Sequence, residues 1–153
     1  MRKLLLLLIP GTLAAQALQI SPSTAAHGES GSFLIRLEAP SGGGPASLQW
    51  DLLVSRLVAV NLPDIFPGSS AESAGKSLSC LKGAEDRDAA AYRCILTGGG
   101  RSIPNGHVAI VKYMVPQNAK PGNAPVRIQK ALGVSKDGAK IEFPNTQGEI
   151  TIR

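Results

Sequence analysis

The chain has 153 residues, with 17 glycines and 11 prolines, too many turn formers for a helical bundle and far too few glycines for collagen. Hydrophobic residues at 43% and charged residues at 18% are enough for a buried core and exclude a solvated, disordered polymer. The net charge of +5 comes without any Lys/Arg cluster interleaved with aromatics, so nucleic acid is not an expected partner, and one all-β domain is the first expectation.

Arg2 and Lys3 precede the apolar run Leu4 to Ile9, which continues through Pro10 and Gly11 to Ala14. Ala15-Gln16-Ala17 then places small residues at both positions that a signal peptidase reads. Residues 1–17 therefore read as a secretory signal peptide cleaved after Ala17, leaving a domain over 18–153 that is secreted to an extracellular or periplasmic space. The run is shorter than the ~20 apolar residues a membrane-spanning helix needs, so no membrane insertion is expected after cleavage. No Cys follows the leader directly, which argues against a lipid anchor there, and loss of Arg2 and Lys3 lowers the net charge by two.

Along the domain, Leu18 to Ile20 is a short first strand, and Phe33, Ile35 and Leu37 recur at every second position from Ser32 to Glu38. After the flexible turn Ser41 to Pro45, Leu48, Trp50 and Leu52 repeat that period. Leu57 to Leu62 reads as another strand, and Pro63, Pro67 and Gly68 to Gly75 suggest a long crossover with room for one helical turn. Later runs cover His107 to Val115, Val126 to Val134, Lys140 to Phe143 and Glu149 to Arg153. Nine or ten short strands separated by turn signals predict a two-sheet β-sandwich.

Cys80 and Cys94 are the two cysteines. In an exported protein such a pair reads as a disulfide, and the lack of Cys-x-x-Cys spacing argues against a catalytic dithiol. Their flanks, Leu78 to Leu81 and Tyr92 to Leu96, alternate in polarity around the charged stretch Gly83 to Ala90, which suits a stapled hairpin. Leu78, Cys80, Tyr92, Cys94 and Leu96 share the parity expected to face the core.

The order of these features resembles the cohesin domain, a nine-stranded jelly roll, and its relatives among carbohydrate-binding sandwich modules. The resemblance runs from Leu18-Gln19-Ile20 and the Gly28 to Gly31 turn, through Ala46 to Leu52, to the segment Gly106 to Val115, similar to the family's Gly-x-Ile-Ala-x-Ile-x-Phe-x-Val strand. Ala119-Lys120-Pro121-Gly122, Val126-Arg127-Ile128, Ser135 to Gly138 and Gly148 to Ile152 follow in the family's order. Where many cohesins carry Tyr-Asp-Pro after the aromatic strand, this chain has Leu53-Val54-Ser55. The resemblance implies a secreted, non-catalytic module that docks a dockerin-type protein, usually calcium-dependent, in assemblies linked to polysaccharide degradation. The alternative is a carbohydrate-binding module, which would need exposed aromatics and is opposed if Trp50, Tyr92 and Tyr113 are all buried.

No catalytic residues, cofactor or metal site are expected. His27 and His107 lie beside glycines without acidic or Cys companions at ligand spacing. No Gly-x-Ser-x-Gly turn accompanies them, so no hydrolase triad is read. Glu85, Asp86 and Asp88 lack the spacing of a dedicated calcium loop and read as a solvated tip. Trp50 shares parity with the core residues Leu48 and Leu52, while Asp51 and Glu142 are remote carboxylates that only folding could bring together. The one unusual surface is the strand at 107–115, where Val108, Ile110, Lys112 and Met114 lie opposite Ala109, Val111, Tyr113 and Val115. An outer face so apolar demands cover by a loop, a second copy or a partner, which makes those four residues the candidate partner-binding face.

Overall fold

The computed structural model describes residues 16–40, 43–84 and 86–153, so the apolar run of the leader and Glu85 lie outside the described residues. In chain order the elements are β1 (Ala17–Ile20), β2 (Ser23–Ala25), β3 (Ser30–Glu38), β4 (Ser47–Ser55), a 3-10 turn (Leu62–Asp64), β5 (Ile65–Pro67) and α1 (Ser69–Ser73). They continue with β6 (Ser77–Lys82), β7 (Ala89–Thr97), β8 (Gly106–Met114), β9 (Gly122–Val134), β10 (Lys140–Glu142) and β11 (Thr146–Ile152). One sheet has the order β1-β3-β8-β5, and the other β2-β11-β9-β4-β7-β6 with β10 added on β9. The fold is an all-β, two-sheet sandwich.

Period-two patterning decides which face of each strand is buried. Phe33, Ile35 and Leu37 of β3 are at most 1% exposed and meet Leu48, Trp50, Leu52 and Val54 of β4 in the same core. Full burial of each such large side chain contributes about 1.5–3 kcal/mol. On β9 the same parity would carry Val126 and Ile128 on to Lys130 and sink an ammonium into the core. A β-bulge prevents this: Asp51 pairs with Gln129 but Gln49 pairs with Leu132, so Lys130 and Ala131 together oppose Trp50. Ala131 is thereby buried and Lys130 exposed, at a left-handed φ of 52° for Lys130.

Cys80 and Cys94 stand directly opposite in the β6–β7 ladder and form the disulfide, with Cα atoms 4.1 Å apart, the spacing of a non-hydrogen-bonded antiparallel pair. Cys94 is fully buried and Cys80 half-buried, because β6 is the edge strand and its core side is only partly covered.

The expected strand over Leu57 to Leu62 is not formed. Val58 N–H donates to the Ser55 carbonyl in a turn, a single bridge joins Ala59 to Met114, and Pro63 then sits in the 3-10 turn. The apolar alternation there serves to bury Val58 and Val60 while Leu57 stays 53% exposed. The three-residue strands β2 and β5 are additional to the runs read from the sequence. The crossover carries the single helical turn, α1.

Candidate functional site

The outer face of the four-stranded sheet is assembled from β3, β8 and β5. Ile110 of β8 is half-buried between its cross-strand partners Leu34 on β3 and Phe66 on β5. Lys112 is exposed, pairs with Ser32, and lies 5.1 Å from the centroid of the Phe66 ring, a cation–π arrangement. Met114 is 49% exposed and receives a contact from the Ser30 hydroxyl at 3.7 Å. Arg36 and Glu38 form an exposed pair at 3.5 Å at the other end of β3. The result is an apolar strip of Leu34, Ile110, Phe66 and Met114 with a cation at its middle.

Val108 departs from the expected face: it is fully buried. The reason is α1. Gly68 N–H donates to the Val108 carbonyl at 3.0 Å, and α1 then lays the fully buried Ala71 beside β8 in the same core cluster. The close approach requires glycine, since a Cβ on Gly68 would sit 2.2 Å from the His107 carbonyl oxygen. The Ser70 hydroxyl donates to the Pro104 carbonyl and holds the turn down. Intramolecular cover therefore stops at Val108, and Ile110, Lys112 and Met114 remain at the surface. Phe66, which completes the strip, was silent in the sequence because β5 is three residues long and ends in Pro67.

The other candidates take structural roles. Trp50, Tyr92 and Tyr113 are all buried, with the Tyr92 hydroxyl donating to the Val60 carbonyl at 2.6 Å and the Tyr113 hydroxyl 2.6 Å from Ser23 Oγ. Buried rings cannot stack on a saccharide. His27 is exposed and His107 half-buried at the start of β8. Asp86 turns its carboxylate onto the N–H groups of Asp88 and Ala89, at 2.8 and 2.7 Å, bonds that hold its pKa below the usual carboxylate value. It organises the hairpin loop, and among the described residues no three His, Cys, Asp or Glu side chains gather as metal ligands. Asp51 and Glu142 do not share a site: Arg93 binds Asp51 through two bonds of 2.7 and 2.9 Å, and Lys140 binds Glu142 at 3.2 Å. The Arg93 hydrogen bond is the main reason the Asp51 carboxyl lies below its ordinary pKa.

The chain is a two-sheet sandwich whose four-stranded sheet carries an apolar strip around Lys112 on its outer face. The particular fold is cohesin-like. It matches the non-cellulosomal cohesin of the archaeon Archaeoglobus fulgidus with a TM-score of 0.73 at 14% identity, covering 92% of each chain. The cohesin of a type I cohesin–dockerin complex from Clostridium thermocellum matches with a TM-score of 0.74 at 18% identity, over 91% of this chain and 99% of that one. The sixth cohesin of scaffoldin B from Acetivibrio cellulolyticus, solved in complex with a Cel5 dockerin, gives 0.75 at 12% identity with the same coverage. No protein-family model matches the sequence, and no curated protein is significantly similar to it.

Proposed function

We propose that this chain is a non-catalytic, exported binding module whose four-stranded sheet docks a dockerin-type protein, in an assembly that acts on polysaccharide. The observation that carries the reading is the strip of Leu34, Ile110, Phe66 and Met114 around Lys112, which ends where α1 stops covering β8. An apolar strip gives affinity by desolvation, and the cation on Phe66 selects a partner that presents a carboxylate beside its own apolar residues. Support comes from dockerins being the partners of the similar cohesins in solved complexes. The leader at 1–17 and the disulfide both suit an oxidising compartment outside the cytoplasm. A carbohydrate-binding module of the aromatic-platform kind is opposed by the burial of Trp50, Tyr92 and Tyr113.

The test is capture of dockerin modules by the immobilised protein, with calcium and with a chelator. Retention in calcium, with loss on Met114→Lys while the unfolding midpoint is unchanged, is the expected result. Retention that ignores Met114→Lys would place the docking surface elsewhere.

A further inference from the structure

We propose that the outer face of the seven-stranded sheet carries a second binding site, a groove for an acidic oligosaccharide built on Asp51, Arg93, Gln129 and Lys130. The ladder pairs set Gln129, Asp51, Arg93 and Leu81 in one row across β9, β4, β7 and β6. In the next row Leu53 faces Ala91, and Gly83 donates its N–H to the Ala91 carbonyl at 2.8 Å. Small residues there leave a groove of about 410 Å³, within the roughly 300–1,000 Å³ range of small-ligand clefts.

Three features point to an anion. Among the described lining residues of the outward parity Arg93 and Lys130 are the cations and Asp51 is the sole carboxylate, already neutralised by Arg93; Lys82 has the inward parity of β6, opposite Tyr92. The two bonds to Asp51 use Arg93 Nε and Nη2, which fix the guanidinium plane and leave Nη1 for a ligand. Finally, Lys130 occupies the left-handed region at a φ of 52°, a conformation that is strained for a residue with a Cβ. Glycine there would relieve the strain and keep the bulge. Keeping a lysine trades stability for an ammonium beside the ion pair, the pattern expected at a functional position.

The chemistry favours a saccharide over an acidic peptide. The centre of the groove lies on β4 and β7, whose backbone groups are engaged by strands on both sides; an extended peptide could join the sheet only at the free edge of β6, two strands away from β4. Leu53 and Ala91 provide an apolar floor for the C–H face of a pyranose, and Gln129, Arg93 and Lys130 supply donors for hydroxyl and carboxylate oxygens. Recognition is led by charge, since the large aromatics of this sheet are in the core. The site is independent of docking on the other sheet.

Titration of the purified protein with trigalacturonate, cellotriose and pentaglutamate, followed by calorimetry, tests the proposal. Trigalacturonate should bind saturably and weaken as salt rises, while cellotriose should not saturate. Lys130→Gly should weaken trigalacturonate by about tenfold or more while raising the urea midpoint, a split that a purely structural lysine would not produce. Absence of saturable trigalacturonate binding, affinity unchanged in Lys130→Gly, or pentaglutamate binding as tightly as trigalacturonate would overturn the assignment. Dockerin capture should be unaffected by Lys130→Gly, which keeps this result separate from the docking reading.

Discussion

Lys76 is only 5% exposed, and its ammonium donates to the carbonyls of Gly98 and Gly99 at 2.6 and 3.4 Å. Those glycines turn the chain with φ values of 121° and 60°, so their carbonyls point away from any ladder and take the cation instead. Burial pushes the Lys76 amine below its ordinary pKa, yet the charge-assisted bonds keep the turn closed. Lys76→Met would fill the same space and leave two carbonyls unpaired; urea unfolding should show a loss of about 1–3 kcal/mol. The Asp51–Arg93 pair acts through pH. Because the folded-state pKa of Asp51 is depressed, its contribution is fully present above the unfolded carboxylate pKa and is lost as pH falls through the folded value. Asp51→Asn should therefore be less stable than the parent at pH 7 and converge with it in acid, measured by urea midpoints across that window. Equal midpoints at every pH would mean that the pair contributes nothing.

At the scale of elements, α1 and the β6–β7 hairpin are each held by one small device. Gly68→Ala forces a methyl against the His107 carbonyl, so α1 must lift from β8 and uncover Val108. A loss of about 1–3 kcal/mol is expected in thermal or urea unfolding, with faster amide exchange over α1. Replacing Cys80 and Cys94 together by Ser should cost about 3 kcal/mol in the chain-entropy account while the circular dichroism of the sheet is kept. The strands legible in the sequence were β1, β3, β4 and β6 to β11; the period of two is cleanest in β3 and β4, and in β8 it breaks where Val108 and Ala109 are both buried. β2 and β5 were not legible, since three residues that follow a proline or end in one carry no period. Leu57 to Leu62 misleads for the opposite reason: alternation of burial also arises in a turn that plugs Val58 and Val60 into the end of the core. The β9 bulge left one trace, a lysine at a core parity. The candidate face was readable as far as parity goes, at Ile110, Lys112 and Met114. Burial of Val108 and the arrival of Phe66 depend on contacts from a distant crossover, which local pattern does not encode.

On the scale of the whole molecule, the sandwich places two different surfaces on opposite sheets: an apolar strip around Lys112 on the four-stranded sheet, and a cation-lined groove on the seven-stranded one. The packed core between them, with Trp50 fully buried, holds the strands of both sheets in place, so docking should proceed with little backbone rearrangement. Export is the remaining part of the account. Mass spectrometry of the protein recovered from an expressing bacterium should find Leu18 at the N-terminus and no thiol alkylated before reduction; retention of Met1 would remove the secretory reading. The central claim is that the Leu34–Ile110–Phe66–Met114 strip docks a dockerin-type protein. It is tested most directly by surface plasmon resonance of calcium-loaded dockerin modules over the immobilised protein and over the paired Ile110→Ser, Met114→Lys variant. The account predicts saturable binding by the parent, lost in the paired variant whose unfolding midpoint falls by no more than its half-buried Ile110 explains. Undiminished binding by that variant, or no dockerin retained by the parent, would contradict it.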